Sequence, residues 1–240
     1  MVAAPEPIRA RATGQRVDNL VYLSGHVAMH SGRKPPQSSE TPGSEGQAGL
    51  HEPSDAVRSR ILRGAARAFG ERGYGATSVE SILEAAQVSR RTFYRTFRSK
   101  EDVLRTLFDR SVQRLVRAVR ESSDPVKTRQ ERVVASVEAY LRVHANAGPL
   151  ARVLLLEQFA PDSPLAAQRN RALSTFTSLI TSAAVGAGQS VPDPVLVAAV
   201  VAGINQVCVQ MATEYPTGDW DIERAKRAIL RILSALEETA

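Results

Sequence analysis

Cysteine occurs once in the 240 residues, as Cys208. That excludes an intramolecular disulfide framework and a zinc cluster built on thiolates, and it suits a reducing cytoplasm. Aromatic residues make up only 5% of the chain, so any core must be built mainly from aliphatic side chains. Long hydrophobic runs are missing too: the longest uninterrupted one, 195–204, is ten residues, against the roughly 18 needed to cross a bilayer, which argues against a membrane-bound chain. The first thirty residues lack a basic start, a continuous apolar stretch and a small-residue cleavage site, so no secretion signal is expected and a cytoplasmic location is. Signatures of catalysis are absent as well: the chain has no G-x-S-x-G, no H-E-x-x-H, no Walker loop and no glycine-rich dinucleotide fingerprint. The expectation is therefore a protein that is not an enzyme and holds no metal and no cofactor. At 43% apolar and 23% charged residues, composition is that of a globular protein with a real core.

The net charge of +6 is unevenly placed. Residues 54–123 carry fifteen basic and eight acidic side chains, while 1–53 are balanced and 124–240 carry eleven basic against twelve acidic. The whole excess is therefore local. A basic segment of this kind attracts polyanions, because each cation set beside a phosphate releases condensed counterions. A solvated arginine-rich helical surface fits the count equally well, so charge alone nominates double-stranded DNA without selecting it.

Residues 1–53 hold six of the thirteen prolines and six of the fifteen glycines, and 31–53 show no apolar period, which reads as a disordered arm. A mildly apolar patch at 17–29 interrupts it, and Met29 offers an alternative start. From residue 54 onward the pattern is helical, with Val57, Ile61, Ala65 and Phe69 on one face and Arg58, Arg60, Arg63 and Arg67 outside it. The run TSVE at 77–80 reads as a capping box opening a short helix at Ser78, and Ser89 caps another short helix with Phe93 and Phe97 on one face. Ser99 with Asp102 starts a long helix reaching about Ser122. Beyond it, 127–146, 149–159, 163–187, 193–215 and 219–238 are again helical, with Asp193 and Asp219 as caps and Pro194 at a first helical position. No strand alternation is present, so the fold is expected to be all-α, divided into 54–100 and 101–240.

Two short helices joined by a tight turn around Gln87 make a helix-turn-helix, whose second helix can enter the roughly 12 Å major groove. With Phe93 and Phe97 turned inward, Arg90, Arg91, Thr92, Tyr94, Arg95 and Thr96 are left to face phosphates and base edges. Lys100 adds a charge at the start of the next helix, where the helix end already favours an anion.

Thr77, Ile82, Ala86, Val88, Ser89, Thr92, Phe93, Tyr94, Phe97, Ser99, Lys100, Glu101 and Leu104, at these intervals, resemble the DNA-binding segment of TetR-family transcriptional regulators. The resemblance spans about residues 55–108. It implies an N-terminal three-helix DNA-binding domain, a helical effector-binding and dimerisation domain, and operator binding as a dimer, repression being the family's usual mode. It also implies DNA contacts from Thr77, Ser89, Arg90, Arg91, Thr92, Tyr94, Arg95, Thr96 and Lys100. Three residues depart from the family pattern: Gln87 stands where the turn usually has glycine, Arg91 where glycine commonly lets the backbone approach the DNA, and Thr96 where histidine or tyrosine is frequent. At Gln87 a left-handed conformation is expected at a cost of about 1–2 kcal/mol.

In the C-terminal half, 195–211 are apolar nearly all round, with Ala198, Ala199, Ala202 and Gly203 small enough for close helix approach. The last helix carries Ile222, Ala225, Ile229, Ile232, Leu233 and Leu236 at three-four spacing. The last two helices, 193–215 and 219–238, are expected to form a homodimer interface, the alternative being an intrachain core. The resemblance implies a small-molecule pocket between the helices, with Tyr140, His144, Gln158, Phe159, Phe176, Asn205, Cys208 and Met211 as its candidate lining and an apolar, fairly large effector. The rival reading is a basic helical interaction module that meets an acidic protein or a membrane surface. Its mark would be a shallow salt dependence, whereas phosphate contacts give a log-log slope of about −0.9 each.

Overall fold

The structure, a computed structural model, describes residues 55–122, 128–186, 188 and 190–234. The arm at 1–53, with the patch at 17–29 and Met29, lies outside them. Among the described residues all regular structure is helical: α1 (Asp55–Arg72), α2 (Val79–Ala86), α3 (Arg90–Thr96), α4 (Lys100–Ser122), α5 (Arg129–Ala147), α6 (Pro149–Glu157), α7 (Ala166–Gly186), α8 (Pro194–Glu214) and α9 (Ile222–Ser234).

The first four helices form where local chemistry directs. On α1 the face with Ile61, Ala65 and Phe69 is buried, and Ser89 Oγ accepts the Thr92 amide at 3.1 Å to open α3. Asp102 donates its amide to Ser99 Oγ at the start of α4. Gln87 takes the left-handed conformation (φ 52°, ψ 50°), and its amide and that of Val88 close α2 on the carbonyls of Glu84 and Leu83.

Two caps fall elsewhere than expected. Ser78, not Thr77, caps α2 by accepting the Ser81 amide at 3.1 Å. The Thr77 hydroxyl instead donates inward to the carbonyls of Gly73 (2.7 Å) and Ala68 (3.1 Å), satisfying the end of α1 from a buried position. At the other end of the chain Asp221, not Asp219, accepts the Arg224 amide and opens α9, while Asp219 accepts the Thr217 hydroxyl.

The head made by α1 to α3 is joined to the body by α4 and by a second contact. Helix α1 also packs on α6, where a Cβ added at Gly70 would lie 3.1 Å from Pro149. By length and composition α8 would suffice to cross a bilayer, with a mean hydropathy of 1.9, more than the ten-residue run suggested. That run stops at Asn205 only because amides interrupt it, and Glu214 is the sole charge on the helix. In the fold α8 packs against α6, α7 and α9.

Part of the stripe on the last helix is used within this chain. Ala225 and Ile229 are buried, and Ile232 packs on the bare backbone of Gly203 at 3.5 Å. Leu236 lies outside the described residues. Left outward on α8 are Val195, Ala199, Ala202, Gln206 and Gln210, three to four residues apart.

Candidate functional site

Helix α3 is amphipathic in the sense that matters for reading an external surface. Phe93 and Phe97 are 0% and 1% exposed, with ring centroids 6.2 Å apart, and the Arg58 guanidinium lies 4.6 Å over the Phe97 ring. Ser89, Arg90, Arg91, Tyr94 and Arg95 face outward. The Arg90 guanidinium is paired with the carboxylate of Glu80 on α2, which leaves Arg91 and Arg95 as the outward arginines of α3 without that partner. Tyr94 stands edge-on to Phe93, its ring supported at the base and its hydroxyl free to reach out.

Beneath the head, a cavity of about 930 Å³ runs through the body. It is lined by α4 at Phe108, Val112, Leu115 and Val119, and by further apolar side chains of α5 to α9. From Phe108 to Arg120 it follows twelve residue steps along α4, a length of about 18 Å at the α-helical rise. Tyr140 stands edge-on to both His144 and Phe176, at 4.9 and 5.7 Å. His144 also stacks on Trp220 at 5.9 Å, and burial holds its imidazole neutral by lowering its pKa to about 4. Its Nε2 is buried without a hydrogen-bond partner. Phe159, 53% exposed, sits at the rim with the Arg169 guanidinium over its ring. Among the described residues no cluster of histidine, cysteine and acidic side chains has the makings of a metal site.

Residues 61–107 match the family profile of bacterial regulatory proteins of the tetR family. The chain carries a TetR-family domain. Two curated relatives are similar to it. FasR of Mycolicibacterium smegmatis, an HTH-type transcriptional activator, is 27% identical over 128 residues, or 53% of this chain and 58% of that protein. TcmR of Streptomyces glaucescens, an HTH-type transcriptional regulator, is 46% identical over 50 residues, 21% of this chain and 22% of that one. The chain thus spans less than two thirds of the length of these relatives in the matched regions. Solved structures share the fold over most of the molecule. The fatty acid degradation regulator FadR from Bacillus halodurans superposes with a TM-score of 0.61 at 20% identity, covering 75% of this chain and 96% of that one. FadR from Bacillus subtilis in complex with stearoyl-CoA gives 0.63 at 20% identity, covering 73% and 97%.

Within this TetR-type head not every expected side chain points outward. Thr77 is 1% exposed and its hydroxyl is held by two carbonyls, so its side chain is a structural tie. Lys100 donates to the carbonyls of Tyr74 (3.0 Å) and Thr77 (2.8 Å) and lies 4.3 Å over the Tyr74 ring, clamping the start of α4 to the α1–α2 connection. Thr96 donates to the Thr92 carbonyl, and the Thr92 hydroxyl is hydrogen-bonded to that of Ser89. Sequence reasoning missed Tyr74 and Glu80, because neither role is visible until α1, α2 and α3 are folded together.

In the body, Tyr140, His144, Gln158, Phe159, Phe176 and Asn205 do come together on the cavity wall. Cys208 and Met211 do not. Both are buried in the core, where burial raises the Cys208 thiol pKa to about 12. Helix α8 turns them away from the cavity, which Asn205 meets three positions before Cys208. Trp220 and the arginines of the cavity wall were also missed: a lone tryptophan after a Gly-Asp turn and surface arginines carry no periodic signal.

Proposed function

We propose that the protein is a ligand-responsive, DNA-binding transcriptional regulator acting in the cytoplasm as a homodimer, with no catalytic role. The observation that carries the reading is the division of α3, with Phe93 and Phe97 buried and Arg91, Tyr94 and Arg95 outward. Such a short capped helix after a left-handed turn fits the major groove, with arginine able to bridge guanine O6 and N7. The TetR-family match over 61–107 supports it.

The pairing surface is the outer edge of α8 (Val195, Ala199, Ala202, Gln206) set against the same edge of a second copy. A helix this apolar with so little of it buried in its own chain calls for further cover. Two heads would then meet half-sites about 34–36 Å apart or a multiple of that. The cavity, large and mainly apolar, takes an effector with a long apolar chain, a reading to which the stearoyl-CoA complex of Bacillus subtilis FadR lends support. Ligand and DNA are coupled if each prefers a different arrangement of the heads. Helix α4 and the α1–α6 contact at Gly70 and Pro149 provide the two links, since α4 and α6 both line the cavity. Repression is the expected sign, and a promoter-reporter assay with and without the gene separates it from activation, the activity named for FasR.

Selection of bound duplexes from a random pool tests the reading. A palindromic consensus and a log-log salt slope of several units are expected. Absence of any sequence preference together with a shallow slope would overturn it in favour of the interaction-module reading. Replacing Arg91 by Ala should relax the preference at one guanine of each half-site, worth about 1–3 kcal/mol.

A further inference from the structure

Several polar side chains on the cavity wall are already engaged within the protein. The Gln158 amide donates to the Leu155 carbonyl, Asp193 accepts the amides of Val195 and Leu196 at the start of α8, and Arg169 donates to the Gln158 carbonyl. Two others are not. The Ser111 hydroxyl on α4 and Nε2 of His144 on α5 are shut off from solvent and have no hydrogen-bond partner among the described residues. A buried polar atom in this state has given up its water and gained nothing in return.

The two lie toward one end of the cavity, and it is the end beneath the head. Helices α4 and α5 are joined by 123–128 and packed together, so they run in opposite directions. Ser111 stands eleven residue steps before the end of α4 at Ser122, and His144 fifteen after the start of α5 at Arg129. At the α-helical rise this sets them at levels about 6 Å apart. On α4 the wall begins at Phe108, one turn nearer the head than Ser111, and on α5 it ends at Ala147, just before the Pro149 that packs on Gly70 of α1. Around them the wall is aromatic: Tyr140 stands edge-on to the His144 ring, and Trp220 stacks on it. Burial keeps the imidazole neutral, and serine carries no charge, so neither group offers a counter-charge to an ionised ligand.

We propose that Ser111 and His144 form an uncharged hydrogen-bonding subsite, and that the effector carries a neutral hydroxyl on its apolar body that seats there. A hydroxyl both donates and accepts, so it can pair with the serine oxygen in either direction and with the imidazole nitrogen in either tautomer. An ionised group at this level would exchange its water for two neutral partners, which costs far more. The inference rests on the reading of the cavity as an effector site. It adds the kind of polar group the ligand bears, the residues that meet it and its place beneath the head.

The test is equilibrium titration of the full chain with three probes built on one two-ring skeleton: diphenylmethane, diphenylmethanol and diphenylacetate. Trp220, the single tryptophan, stacks on His144, so its emission reports occupancy of this end of the cavity. In the native protein diphenylacetate should bind at least about ten-fold more weakly than diphenylmethanol. The double variant Ser111→Ala, His144→Phe keeps a ring against Trp220 and should lower the affinity for the alcohol relative to diphenylmethane by about ten-fold. Ser111→Ala alone, which removes one atom, should lower that ratio by about three-fold. Ser174→Ala, at an exposed serine of α7 outside the cavity wall, should leave it unchanged. If the ratio is the same in the native protein and the double variant, or the carboxylate binds as tightly as the alcohol, the subsite is refuted while the cavity reading stands. If none of the three probes binds, both fall.

Discussion

At Gly64 a hydrogen stands where any other side chain would meet the neighbouring helix: an added Cβ would lie 2.6 Å from the backbone nitrogen of Ala86. Alanine ordinarily favours a helix interior over glycine by about 1 kcal/mol. Here Gly64→Ala should instead destabilise by about 1–3 kcal/mol, because α1 and α2 must separate, and urea unfolding of the variant measures it. His144 gives a pH-dependent prediction. Burial lowers its pKa from 6.5 to about 4, so between those values the unfolded chain binds a proton that the folded chain refuses. Stability contributed by the neutral imidazole is complete above pH 6.5 and falls as pH drops toward 4, by about 1–3 kcal/mol in all. Thermal unfolding across that window should show the slope, and His144→Phe should flatten it. The helix position of His144 could be read from the sequence; its neutrality could not, because Trp220 is 76 residues away and only folding stacks one ring on the other.

Among the elements, α3 is the one whose sequence declares its orientation most fully. A seven-residue helix that turns Phe93 and its C-cap Phe97 inward cannot also bury Arg91 and Arg95, so the outward set follows from spacing. Replacing Arg91 and Arg95 by alanine should lower the magnitude of the salt slope of DNA binding by about one for each phosphate that is no longer neutralised, with little change in unfolding temperature. Phe97→Ala should act the other way, costing about 3–5 kcal/mol of stability in the head. Caps were legible where a single hydroxyl or carboxylate was placed to serve the first amides, as at Ser89, Ser99 and Asp193. At 77–78 and 219–221 two candidates adjoined, and the choice between them depended on a distant partner: Thr77 turned to the carbonyls of α1, and Ser78 was left to cap α2.

For the molecule as a whole, the decisive arrangement is a head joined to a hollow body through α4 and through the packing of α1 on α6. If the outer edge of α8 pairs two copies, Ala199→Glu should yield a monomer by light scattering and weaken operator binding by at least about a hundred-fold, leaving the helical content unchanged. Unchanged mass would place the interface elsewhere. The all-α class, the positions of the helices and the outward face of α3 were determined by the sequence alone, because each rests on periodicity, capping and turn chemistry within a few residues. Tertiary structure decided what depends on residues far apart in the chain. It turned Lys100 and Thr77 into internal ties, buried Ala225 and Ile229 of α9 within the chain, and moved Cys208 and Met211 out of the cavity wall. Local spacing fixes which face a side chain occupies, while the packing of other helices against that face settles whether it meets solvent, core or cavity.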